Sequence, residues 1–324
     1  MSAVPSDSLR VSRRRLGDRI GDVALRMITL LAALASIALL GAIVWKVLAL
    51  AWPSITHYGL SFVTGETWDP VKKVFGALPF IYGTAMSSLI ALVIATPLAI
   101  AIALWLSELA PGGVRGIVGS LVELLAAIPS VVLGLWGILV LGPFLANHLE
   151  PWLHDTLGFI PLFGEPSSTG TGLFTAGLIL TIMVVPIVAS ICRELFLAVP
   201  SELEDGALAL GATRWEMVRG VVLSSSKPGI AAALILGLGR AIGEAIAVTQ
   251  VIGASNSPQI HASLFGGGDT LASRIAEQFQ GAVTKVQISS LFYLAAILLV
   301  IGLVTNLAAQ LIVRRFEFQR IGAD

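Results

Sequence analysis

An arginine and a glutamate interrupt an apolar stretch, GLGRAIGEAIAV, at residues 237–248. Arg240 and Glu244 stand four residues apart, so a continuous helix would place them on one face. At the centre of a bilayer each would cost roughly 3 kcal/mol or more. A guanidinium keeps its charge and offers a two-pronged donor that matches a tetrahedral oxyanion. Gly237, Gly239 and Gly243 leave room beside the pair for another helix or for a passage. Two uses stay open. The pair is either a structural bridge locking two helices, or the lining of a translocation path in which Arg240 transiently attracts an anion and Glu244 prevents tight trapping. Glu123 is a third charge at membrane depth, ahead of a helix break expected at Pro129 and Ser130, where proline withdraws a backbone donor. It can pair with an arginine of a neighbouring helix, reach the cytoplasmic interface, or join the path.

These residues need membrane helices to position them. The chain of 324 residues is 56% hydrophobic and 12% charged, with a mean hydropathy of +0.90. Soluble domains carry about twice that charge fraction, so the class is a polytopic membrane protein. Stretches of about 20 apolar residues can cross a bilayer. Six qualify, at about 27–51, 82–106, 117–145, 172–192, 229–253 and 288–312. The first follows a basic segment, and its apolar run exceeds the 7–15 residues or so of a signal peptide, so it reads as an uncleaved anchor. In the fifth, Pro228 suits the first helical turn, and Arg240 then lies about 18 Å further on, slightly past mid-bilayer.

Lysine and arginine distribution sets the orientation. Arg10, Arg13, Arg14, Arg15, Arg19, Arg26, Arg115, Arg193, Arg214, Arg219, Lys227, Arg314, Arg315 and Arg320 fall on one side, and Lys46, Lys72, Lys73, Arg274 and Lys285 on the other. Both termini are therefore expected in the cytoplasm. Trp52, Trp68 and Trp152, in the outer loops, suit the membrane interface. The single cysteine, Cys192, excludes an internal disulfide and any multi-cysteine metal site. His148 and His154 are too few and wrongly spaced for a metal centre.

Between the fourth and fifth spans, SELEDGALALGATRWEMVR (201–219) does not read as a loop. Ser201 and Glu204 have the spacing of a capping box. Leu203, Ala207, Leu210, Trp215 and Val218 form an apolar stripe interrupted at Gly211 and Thr213. The pattern predicts two short helices and a turn along the cytoplasmic surface. They either lie on lipid headgroups or dock a partner protein.

The same segment resembles the cytoplasmic signature of ABC importer permeases. Asp205, Gly206, Ala207, Gly211, Val221 and Leu223 carry the match; Asp205 replaces the usual glutamate, Gly206 an alanine, and Ser224 stands where proline is usual. FGALPFIYGT (75–84), LSELAP (106–111), ELLAAIPSVVLGLWG (123–137), LGATRWEMV (210–218) and GLGRAIGEAIAV follow in order. Together they resemble the C-type (PstC-like) permease subunits of phosphate-specific ABC importers over residues of about 60–315.

That resemblance implies an all-α polytopic protein with six transmembrane helices and the type I ABC importer permease (MetI-like) fold. It implies a basic cytoplasmic N-terminus (1–26), a first membrane helix (27–51), a permease core of five helices (76–313) and a cytoplasmic tail (314–324). It makes residues 201–219 coupling helices, with Glu204, Asp205, Gly206, Ala207, Gly211 and Trp215 facing an ATPase. The implied partners are a second, PstA-like permease, a PstB-like ATP-binding dimer, an extracytoplasmic PstS-like phosphate-binding protein, phosphate and membrane lipid, with no nucleic acid. No cofactor is expected in this chain; ATP and Mg belong to the partner ATPase, and the chain has no G-x-x-x-x-G-K-[ST] phosphate loop. The implied location is a prokaryotic plasma (inner) membrane, multi-pass. Rival functions are a permease for sulfate or molybdate, an ion-coupled secondary transporter, for which no inverted repeat is evident, and a membrane enzyme, for which no reaction centre is evident.

Overall fold

A computed structural model describes residues 16–254 and 260–321, and the side chains of 21–254 and 260–311. The expected segments 1–26 and 314–324 therefore fall partly outside it, at 1–15 and 322–324. The chain is almost wholly helical, with six helices long and apolar enough to cross a membrane among the described residues. Contact density divides it into residues 1–49 and 50–324. The first unit holds most of α1 (Leu16–Tyr58).

The second unit opens with α2 (Ser61–Thr64) and a hairpin of β1 (Trp68–Asp69) and β2 (Val74–Phe75), Trp68 opposite Phe75. Among the described residues this hairpin is the only strand pairing. Then come α3 (Leu78–Leu104), α4 (Gly112–Ala126), α5 (Ser130–Trp136), α6 (Gly142–Phe144) and α7 (Glu150–Leu157). α8 (Leu173–Leu197) is the most buried span. α9 (Ser201–Ala209) and α10 (Arg214–Met217) lead into α11 (Leu223–Gly243) and α12 (Ile246–Val251). α13 (Leu271–Gln278) and α14 (Lys285–Ile321) complete the chain.

The core is built on α8. Along α3, Ala91, Ala95, Ala99 and Ala103 recur every four residues and are fully buried. Small side chains at that spacing let two helix backbones approach closely, and α3 packs along α8. Cys192 is buried in the same core, as a small apolar residue would be.

Two span boundaries differ from the sequence expectation. The third span is Ser130–Leu157 instead of 117–145. Pro129 is extended (φ −60°, ψ 135°), and the residue before a proline is driven out of the helical region. α4 thus ends at Ala126 as a separate helix, and Ser130 is the first residue of α5. The fifth span runs Arg214–Gly243 instead of 229–253. Its helix starts upstream of Pro228, which lies inside α11 rather than in its first turn, and stops where Glu244 becomes extended (ψ 121°).

Candidate functional site: a cleft around Arg240

The break after Gly243 corrects the picture of one helix carrying two paired charges. Arg240 occupies the last turn of α11, where carbonyl dipoles favour a cation. Glu244 lies beyond that helix, and its Oε1 accepts the Ala247 N–H at 3.2 Å, in the first turn of α12. Among the described residues Arg240 makes no ion pair within 4.0 Å, with Glu244 or any other acid. The two side chains instead share the wall of a cleft of about 670 Å³. Ile187 of α8, Leu236, Gly239 and Gly243 of α11, and Asn306 of α14 also line it.

The three glycines divide the labour. A methyl group on Gly237 would meet Val184 and Val188 at 2.8 and 3.0 Å, so this glycine seats α11 on α8. Gly239 and Gly243 face open space and leave the cleft wide beside Arg240. The cleft is therefore an apolar-walled recess holding an exposed guanidinium, a half-exposed carboxylate and an exposed amide. Asn306 escaped the sequence reading. Its signal was a lone asparagine inside the sixth apolar run.

Glu123 lies elsewhere. It sits exposed on α4, 3.5 Å from the Arg193 guanidinium at the end of α8, and does not line the cleft. The pairing with an arginine of a neighbouring helix is the arrangement found. Glu123 stands on α4, a helix separate from the Ser130–Leu157 span. Gly119 lies against that same arginine.

The 201–219 segment forms helix, turn, helix, but not with the expected cap. α9 follows Pro200 with no side-chain cap. The capping box belongs to α10, where Thr213 Oγ1 accepts the Glu216 N–H and Glu216 accepts the Thr213 N–H. Gly211 makes the turn at φ +86°, a left-handed conformation that favours glycine. Leu203, Leu210 and Trp215 stand exposed, Leu210 at 92%, and Ala207 is half-buried. Glu204 is half-buried, and burial with Glu108 and Asp205 nearby pushes its carboxyl above the usual range. Asp205 and Gly206 are exposed on α9.

Trp68 and Arg274 are both buried. Trp68 turns into the fold: it is 1% exposed, donates its indole N–H to Gln278 Oε1 at 2.8 Å, and packs on Phe75 and Phe80. Arg274 is fully buried, its Nε 2.8 Å from Asp269 Oδ2, and it lies over the Phe80 ring. Trp52 and Trp152 are exposed.

Residues 95–318 match the model of the family "Binding-protein-dependent transport system inner membrane component". The chain is 41% identical over 306 residues to the phosphate transport system permease protein PstC of Mesorhizobium japonicum, covering 93% of this chain and 92% of that protein. Identity to the PstC of Haemophilus influenzae is 39% over 312 residues, covering 95% and 98%. Among solved structures, a bacterial alginate ABC transporter in complex with an alginate-bound periplasmic protein superposes with a TM-score of 0.61 at 18% identity, covering 91% of this chain and 96% of that one. The inward-facing MetNI methionine ABC transporter gives 0.50 at 21%, covering 74% and 94%. These two speak to the fold, the MetI-like permease fold.

Proposed function

Because the chain belongs to the family of binding-protein-dependent transport system inner membrane components, we propose that it forms the phosphate path of an ATP-driven importer. It is a multi-pass membrane transport subunit and not an enzyme; ATP hydrolysis belongs to a separate subunit. Family membership sets aside the ion-coupled and enzymatic alternatives. The observation that carries the reading is the cleft: a cation without a counter-ion among the described residues, in an apolar wall, in a chain 41% identical to a phosphate permease. Arg240 attracts the tetrahedral anion through its planar fork. Glu244, fixed by its own hydrogen bond, keeps the stay brief. A second, PstA-like permease closes the open side, a PstB-like dimer drives the cycle with ATP and Mg, and a PstS-like protein delivers phosphate from outside. Both termini lie in the cytoplasm of a prokaryotic cell.

The test is phosphate uptake at matched expression. Arg240→Lys keeps the charge but loses the bidentate geometry, and uptake falls severely while assembly survives. Arg240→Gln with Glu244→Gln removes both charges and stays inactive. Near-normal uptake by that double variant refutes a direct anion role. Sulfate and molybdate as competitors decide the substrate: stronger competition by either than by phosphate favours the rival oxyanion.

We assign 201–219 to ATPase coupling on the exposed Leu203, Leu210 and Trp215 and on the tight turn at Gly211. Gly211→Glu places a charged side chain at positive φ, which costs roughly 1–2 kcal/mol in backbone strain. The expected result is loss of co-purifying ATPase with the permease still inserted. An intact complex with full substrate-stimulated hydrolysis sinks the assignment.

A further inference from the structure

Resting on the phosphate reading of the cleft, we propose that Asn306 is the residue by which the cleft prefers oxyanions that carry an O–H group. The argument begins with an inventory of donors and acceptors. Arg240 supplies five N–H donors and no acceptor. A site made only of donors grips any tetrahedral oxyanion. Phosphate at neutral pH retains at least one proton, whereas sulfate and molybdate retain none. Telling them apart requires an acceptor aimed at the anion.

The cleft holds two candidate acceptors. Glu244 has one oxygen committed to the Ala247 N–H. Its other oxygen can accept an O–H, but the carboxylate's charge repels every anion, protonated or not. Asn306 is neutral, exposed on α14, and has no hydrogen-bond partner among the described residues. Its amide oxygen accepts an O–H without adding repulsion. It stands on α14, a different helix from the one bearing Arg240, so donor fork and acceptor come from separate walls. A site that hydrogen-bonds a substrate hydroxyl penalises the analogue lacking it. The cleft is open to solvent, so the discrimination is on the order of tenfold, well below that of a closed pocket.

The experiment uses the assembled, detergent-solubilised transporter with a thiol reporter in the cleft. Leu236→Cys lines it and is exposed, while the native Cys192 is fully buried. Modification by a methanethiosulfonate reagent is followed with sodium phosphate or sodium sulfate present. With Asn306 intact, phosphate protects at about one tenth of the sulfate concentration. Asn306→Leu brings the two protection curves together. Asn306→Asp keeps an acceptor and adds repulsion, so it retains or widens the preference while weakening both anions. Protection that favours phosphate equally with and without Asn306 overturns this inference and leaves the cleft as the phosphate path. Protection by neither anion overturns the phosphate reading of the cleft itself. Loss of the second permease from the purified Asn306→Leu complex, with Asn306→Asp still assembled and unselective, makes Asn306 an interhelical contact and also overturns it.

Discussion

Arg274 and Arg240 are the same residue type held in opposite ways. Arg274 is fully enclosed by the fold. Asp269 lies 2.8 Å from it, Glu277 3.5 Å, and the Phe80 ring is 5.0 Å below. Asp269 in turn accepts the Thr270 N–H at 3.0 Å and the Ser273 hydroxyl. The cluster is tied to α3, because the Leu271 N–H donates to Thr84 Oγ1 and Gly83 presses against the Asp269 carbonyl. Arg240 has apolar walls and no ion pair among the described residues. A charge surrounded by its own partners has spent its interactions on folding. A charge left open in an apolar cleft keeps them for something that arrives.

The largest expected effect separates these two at the level of stability. Arg274→Met leaves Asp269 as an uncompensated buried carboxylate, a loss of about 3–5 kcal/mol for breaking a buried pair from one side. Arg240→Met removes an exposed cation and leaves no buried partner stranded. Thermal unfolding of the purified transporter, followed by size-exclusion chromatography, should show Arg274→Met unfolding far earlier than wild type. Arg240→Met should unfold near wild type yet carry no phosphate. Equal losses of stability would erase the distinction between a structural and an available arginine.

The same contrast explains what could be read without coordinates. The six spans, the buried Cys192, the break at Pro129 and the glycine turn at 211 follow from local rules of hydropathy, proline and glycine. The spacing of Arg240 and Glu244 was visible too, but i,i+4 pairing presumes an unbroken helix. Nothing in GRAIGEAIA, which lacks proline, announces that Glu244 leaves the helical region. The capping box misled for a related reason: Ser201 and Glu204 have the right spacing, but Pro200 already opens α9, and Thr213 and Glu216 form the real box. The burial of Arg274 and Trp68 was not legible because their partners, Asp269, Phe80 and Gln278, are gathered by long-range packing. Asn306 was overlooked because one amide in an apolar run gains meaning only once α14 lies beside Arg240.

A smaller effect tests how the Arg274–Asp269 cluster holds its charge. Burial pushes the Asp269 carboxyl up to about 6, against the opposing pull of Arg274 and Ser273. The unfolded chain keeps it near 3.8. Between these values the folded protein binds more protons than the unfolded one, so raising the pH through this window removes stability. From about pH 4 to pH 6 the unfolding temperature should therefore fall on account of this group, and above about pH 7 its contribution should be flat. Asp269→Asn cannot ionise; its one amide oxygen can take only one of the two carboxylate positions, Oδ1 at the Thr270 N–H or Oδ2 at Arg274, so the variant loses a pH-independent amount of stability. The stability gap between wild type and Asp269→Asn should thus shift against wild type as pH rises through the window, then level off. The Arg240 variants should follow the wild-type pH dependence throughout, since they do not touch this cluster. A gap between wild type and Asp269→Asn that stays constant from pH 4 to pH 7 would mean that Arg274 holds the carboxylate fully charged, and that the Arg274–Asp269 cluster is a permanent ion pair.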